Sequence, residues 1–143
     1  MAMMFTNLGI QALLNRGIKG SFPNGGDDFA LRLYTNTHTL ASTDTSAQLT
    51  EAAGGDYAAK TLAASGFTIA FTGSIYTASF AVQSFVFSGP LTTNPNCVGY
   101  YITDANGTVW IEEAFASSFS PFNNGDALPI VPTIQGSHGT PVA

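Results

Sequence analysis

The chain has 143 residues, a net charge of −5 and only 9% charged side chains, against about 25% in an ordinary soluble domain. Its 45% hydrophobic residues and single cysteine, Cys97, exclude a disordered composition and an intramolecular disulfide. The four basic residues, Arg16, Lys19, Arg32 and Lys60, all precede Thr61 and are too few and too scattered to neutralise a phosphate backbone, so direct nucleic-acid binding is not expected.

The first predicted element is a helix over about 6–16. Thr6 or Asn7 caps it, Leu8, Ile10, Ala12, Leu13 and Leu14 form its apolar positions, and Gly17 ends it. Three turns are too few for an isolated helix, so Leu13 and Leu14 are expected to dock it on a sheet or a neighbouring subunit. No basic stretch and long apolar core mark a secretory signal, and no apolar run approaches the length of a membrane span. Pro23, Asn24, Gly25 and Gly26 predict a loop over 21–28.

Phe29, Leu31 and Leu33 then alternate with Ala30, Arg32 and Tyr34, the period of a half-buried strand. Residues 35–50 are almost wholly polar and read as an exposed loop, and Gly54-Gly55-Asp56 marks a second one. Strand follows strand thereafter. Phe67, Ile69 and Phe71 alternate; 74–82 is a less regular strand; Phe85 and Phe87 form a third run, stopped by Gly89-Pro90. Val98, Tyr100 and Ile102 alternate into a turn at Asp104–Gly107, and a returning strand carries Val109 and Ile111 on one face and Trp110 on the other. Of the adjacent Tyr100 and Tyr101, one should face outward. Phe115, Phe119 and Phe122 fall in a Ser/Ala/Pro-rich stretch read as an inter-strand loop. A last strand spans about 128–135, with Pro129 and Pro132 making it an edge or an irregular strand.

Short strands with frequent turns predict a mainly β fold, a β-sandwich or jelly-roll-like single domain over 1–135 with the short N-terminal helix, followed by a flexible tail at 136–143. The residues that could carry chemistry are sparse. His38 and His138 both fall in predicted loops and read as solvated. Glu112 and Glu113 are neighbours on a strand and must point to opposite faces, so they do not form a carboxylate pair. Asp27 and Asp28 suit turn or cap chemistry. Asp104-x-Asn106-Gly107 resembles the opening of a calcium loop, but Val109 and Phe115 stand where that loop needs Gly and Glu. No catalytic, metal or cofactor site is expected, and 17 Thr with 12 Ser describe a hydroxyl-rich surface.

Several landmarks, in order, carry a likeness. They are Ala12-Leu13-Leu14-Asn15, Leu31-Arg32-Leu33-Tyr34-Thr35-Asn36, Glu51-Ala52-Ala53-Gly54-Gly55-Asp56-Tyr57-Ala58, Phe85-Val86-Phe87, Gly99-Tyr100-Tyr101-Ile102-Thr103-Asp104, Val109-Trp110-Ile111 and Asn123-Asn124-Gly125-Asp126. Together they resemble a family of small tailed-phage virion proteins whose members are described as tail-fibre-like or virion structural. Asp56 departs from the pattern, which often has Gly there, and a left-handed backbone is less comfortable for Asp. The resemblance implies a non-enzymatic virion component, assembled in the host cytoplasm, homo-oligomeric, and partnered by the major capsid protein or other virion proteins. Within that class the expectation is a capsid decoration, or cement, protein. A tail or baseplate adaptor or short fibre subunit is the alternative. A host-carbohydrate binder, presenting aromatics such as Trp110 or Phe122 near Asn123 and Asn124, is a third. The expected subunit contacts are Leu13, Leu14, Phe115, Phe119 and Phe122.

Overall fold

The computed structural model describes residues 3–5, 28–72 and 75–137. The expected helix at 6–16, with Leu13 and Leu14, lies outside the described residues. Ten strands are formed among them: β1 (Met3–Phe5), β2 (Phe29–Tyr34), β3 (Lys60–Leu62), β4 (Thr68–Thr72), β5 (Ile75–Ser79), β6 (Gln83–Val86), β7 (Cys97–Thr103), β8 (Val109–Phe119), β9 (Ala127–Ile130) and β10 (Thr133–Ser137). The domain is mainly β, and no helix of seven or more residues occurs in the described part. A five-stranded sheet has the order β1-β8-β7-β2-β3, a three-stranded sheet the order β10-β5-β4, and β6 and β9 form a two-stranded ribbon. Every ladder is antiparallel.

The alternation read in β2 sets the core. Leu31 and Leu33 point to one face of the large sheet, where they meet Leu62, Tyr100, Ile102, Trp110 and Ile111. Phe85, Phe87 and Ile130 from the ribbon side, and Phe67, Phe80 and Ile134 from around the three-stranded sheet, close over them. The small sheets thus form a second layer on one face of the large one, the two-layer solution an apolar sheet face requires.

The other face of the large sheet is also covered, which the sequence did not predict. Tyr34, Leu49, Tyr101 and Val109 are buried together there, with Val98 packed against them. The cover is the polar 36–50 segment, expected to be an exposed loop. It is tied down by hydrogen bonds from the Thr35 amide to the Thr50 carbonyl (2.9 Å), from the Asn36 side-chain amide to the Gln48 carbonyl (2.9 Å) and from the Thr50 amide to the Asn36 side chain (2.6 Å). Asp44 and Leu49 within it are buried. Tyr100 and Tyr101 are therefore both buried, one under each layer, and neither faces outward.

Further departures follow from irregular register. A shift between Ile102 and Thr103 brings Trp110 and Ile111 both into the main core, with Val109 on the other side, so Val109 and Ile111 do not share a face. β8 runs on to Phe119, making Phe115 and Phe119 strand residues rather than loop residues. From Ala114 to Phe119 β8 takes five steps where β7 takes two, Gly99 to Cys97, so the extra residues bulge from the ladder. The expected last strand is two strands, β9 and β10, broken at Val131-Pro132, and β10 reaches Ser137, two residues into the expected tail. β1, not anticipated, pairs with β8 in the register Met3↔Glu113 to Phe5↔Ile111. The Gly54-Gly55-Asp56 turn is left-handed throughout, with φ of 89°, 57° and 59°. Asp56 thus adopts the conformation expected to suit Gly better. A side chain at Gly55 would also lie 2.4 Å from the Gly89 carbonyl oxygen.

Candidate functional site

Two features of this framework bear on function: a polar cluster sealed between the large sheet and its cover, and an open apolar surface around the ribbon. Strand alternation builds the first. Glu112 lies opposite Tyr101 in the β7–β8 ladder and Glu113 opposite Tyr100, so the two acids face opposite layers, as their adjacency predicts. Glu113 accepts a hydrogen bond from the Tyr100 hydroxyl on the core side. Glu112 points into the space beneath the 36–50 segment and is wholly buried.

That segment delivers His38 and Asp44 to the same place. A tight turn, closed by the Asp44 amide on the Ala41 carbonyl (3.0 Å), aims the Asp44 carboxylate inward, where it accepts the Ala41 amide (2.6 Å). His38 Nε2 lies 2.6 Å from Asp44 Oδ2 and 3.9 Å from Glu112 Oε2. His38 is mostly covered, not a solvated loop histidine. His138 lies outside the described residues. Burial, and then the neighbouring Asp44 carboxyl, push Glu112 up to about 8. Burial by itself would raise Asp44 too, but the Glu112 side chain, His38 and the Ala41 amide together hold it below its ordinary value. One ligand-type atom from each of His38, Asp44 and Glu112 lies within 4.8 Å of the others, a set able to share a proton or hold a cation.

Beside this cluster, Arg32 grips Glu51 with one guanidinium nitrogen on both carboxylate oxygens (2.9 and 2.8 Å). The Tyr57 hydroxyl donates to the same carboxylate (3.0 Å) and accepts the Leu33 amide (3.0 Å). This network fixes the second loop to β2 and is structural in character. Asp104 closes the β7–β8 hairpin by accepting the amides of Asn106 (2.9 Å) and Thr108 (3.0 Å), and its other oxygen accepts the Trp110 indole N–H (3.1 Å). Turn chemistry therefore explains the calcium-loop-like residues, and Trp110 is buried and unable to stack on a sugar. Asp28 accepts the Ala64 amide 36 residues away (3.3 Å), a long-range tie rather than the local turn or cap expected of it, and Asp27 lies outside the described residues.

The second feature collects three expected contact residues and separates their roles. Phe115 and Phe119 are half-buried against the core. They line a groove of about 710 Å³ with Leu128, Ile130 and Val131, and the Tyr100–Glu113 pair also borders it. Phe122 is 76% exposed in the turn before β9. On the ribbon, Phe85 and Ile130 turn inward, leaving Ser84 and Val86 on the outer face against Pro129 and Ala127, with Val82 and Val131 just beyond the ladder. All six are exposed and none is charged. The sequence held a signal for this face in the Val82–Val86 alternation, and a signal for Glu112 in an acid following the apolar run Val109-Trp110-Ile111. Nothing in the sequence linked either acid to His38. Comparison with protein-family models finds no match to this chain, and comparisons with curated proteins and with solved structures find none either.

Proposed function

We propose that the chain is a structural subunit of a tailed-phage virion, and within that class a capsid decoration protein that clamps neighbouring subunits of the head lattice through apolar and hydroxyl contacts. The motif likeness suggests the class. The observation that carries a docking role is the outer face of the β6–β9 ribbon. Val82, Val86 and Val131 are each more than half exposed there, and Phe122 projects nearby in sequence. A surface that leaves large apolar side chains in water and lacks charge is one that gains by being covered. Each such side chain contributes roughly 1.5–3 kcal/mol when buried, part of which offsets the loss of freedom on association. Binding only the assembled lattice would stabilise it by mass action. The groove beside Phe115 and Phe119 extends this surface and would receive a projecting segment of the partner.

The experiment is incorporation into particles. Val86→Asp combined with Val131→Asp alters only exposed positions, so the fold is expected to persist while occupancy in particles collapses. Normal occupancy of the double variant would remove this face from the proposal. Heads assembled without the protein should fail at lower temperature or under osmotic shock; equal stability would remove the cement role. Copy number in purified virions separates the head from the tail alternative, since a lattice-bound subunit is present in proportion to the capsid subunits and a tail adaptor in a handful of copies.

A further inference from the structure

Glu112 carries the least explained atoms among the described residues. Its side chain is wholly buried, and neither carboxylate oxygen has a hydrogen-bond partner. A carboxyl group withdrawn from water without a hydrogen bond, facing only the His38 imidazole at 3.9 Å and the Asp44 carboxyl, is an unfavourable arrangement for a fold to hold. The Tyr34 hydroxyl is a second buried polar group without a partner. Burial, and then the charges of Glu112 and Asp44, push that hydroxyl up to about 12. The buried, unbonded carboxyl of Glu112, set beside His38 and Asp44, marks a space whose occupant would satisfy it.

The donor set names the chemistry of that occupant. One imidazole nitrogen and two carboxylate oxygens suit a divalent transition metal of the zinc class. Calcium and magnesium prefer all-oxygen shells, and no thiolate is present to select a softer ion. Ligands at about 2.0–2.2 Å from zinc stand roughly 3–3.6 Å from one another. The His38–Asp44 separation of 2.6 Å must open slightly and the His38–Glu112 separation of 3.9 Å must close slightly to reach that spacing. His38 and Asp44 both sit in the 36–50 segment, outside any strand, where small adjustments break no ladder. A divalent ion also offsets both buried carboxylates.

We propose that His38, Asp44 and Glu112 form a binding site for a zinc-class divalent metal ion that staples the 36–50 segment to the outer face of the five-stranded sheet. The site would be structural, fixing the cover over the face of the large sheet opposite the small sheets, and it holds whether or not the subunit belongs to a virion.

The test starts from protein stripped with a chelator and dialysed, to which zinc chloride is added. One zinc per chain by elemental analysis is expected. The unfolding temperature should rise by roughly 8 °C once free zinc stands a hundredfold above Kd. Cobalt chloride should give the visible d–d absorption of a low-coordinate nitrogen and oxygen site. Glu112→Gln keeps the shape and removes the anionic ligand, so its metal-free form should remain folded. It should lose at least a hundredfold in zinc affinity together with the cobalt spectrum, and His38→Gln should do the same. His138→Ala should change none of these. Substoichiometric zinc with no thermal shift, equal binding by Glu112→Gln, loss of binding in His138→Ala, or stabilisation by calcium or magnesium but not zinc would each overturn the proposal. The first of those results would leave Asp44 and Glu112 as a carboxyl pair sharing a proton.

Discussion

Gly99 sits in the middle of β7, where its missing side chain is filled by others. A Cβ built there would stand 2.3 Å from the Glu113 carbonyl oxygen and 2.4 Å from both Cε1 and Cζ of Tyr34. The carbonyl belongs to the β7–β8 ladder and the Tyr34 ring is fully buried, so neither neighbour can retreat cheaply. In an open strand, Gly→Ala gains about 0.5–1 kcal/mol by restricting the unfolded chain. Overpacking a close-packed site costs about 1–3 kcal/mol, and contacts this short place Gly99→Ala near the upper end. The expected net loss is about 2 kcal/mol, equivalent to roughly 6–7 °C in Tm for a chain of this length. Trp110, the single tryptophan, is buried and reports a urea melt by its fluorescence. Tyr34→Leu removes the ring atoms that clash, so the double variant should be less destabilised than the sum of the two single ones. An unchanged or raised midpoint for Gly99→Ala, or strict additivity with Tyr34→Leu, would refute the reasoning.

Three further outcomes are expected. Tyr57→Phe removes the acceptor of the Leu33 amide and a donor to Glu51, and should cost about 1–2 kcal/mol in a urea melt; an unchanged midpoint would mean that water replaces the hydroxyl. In metal-free protein Glu112, raised from 4.5 to about 8, keeps a proton that the unfolded chain releases, so its contribution to stability is full below pH 4.5 and declines as pH rises towards 8. Tm measured in chelator should fall across that window more steeply for the natural chain than for Glu112→Gln, and parallel profiles would contradict it. Burial pushes the Cys97 thiol up to about 11, so a thiol reagent at pH 8 should label it only as the protein unfolds; rapid stoichiometric labelling in native buffer would show that it is accessible.

The strands were legible where one face is apolar and the other is not. Leu31 and Leu33 in β2 and Phe85 and Phe87 around β6 declared themselves by alternation, and the β7–β8 hairpin by the turn chemistry of Asp104 and Gly107; the alternation read within that hairpin failed, since Val98 and Val109 pack on the face opposite to Tyr100, Ile102 and Ile111. What escaped was the cover of the second face. Its segment is polar along most of its length because it holds itself by hydrogen bonds, Asn36 to Gln48 and Thr50 among them, and contributes only Leu49 to the apolar contact. Without that cover, the burial of Tyr101 beside Tyr100 and of His38 over Glu112 could not be inferred. Phe115 and Phe119 read as loop because Ala116, Ser117 and Ser118 between them carry no strand period, and in the structure those residues bulge from the ladder. The candidate cluster joins positions in the first and last thirds of the chain, a pairing set by the register of β8 and invisible to local patterning.

The order of the large sheet has a consequence for how the chain comes into being. β2 is flanked by β3, its near neighbour in sequence, and by β7, whose paired residues lie about seventy positions further on. A ribosome adding roughly 5–20 residues per second takes some 4–14 s to supply them. During that interval Leu31 can pair with β3, but neither Leu31 nor Leu33 has the central strand or the layer of small sheets that covers them. β8, which joins β7 to β1, arrives later still. The nascent chain therefore carries an uncovered apolar strand from the emergence of β2 to that of β7, and the sheet closes only after residue 119 has left the exit tunnel.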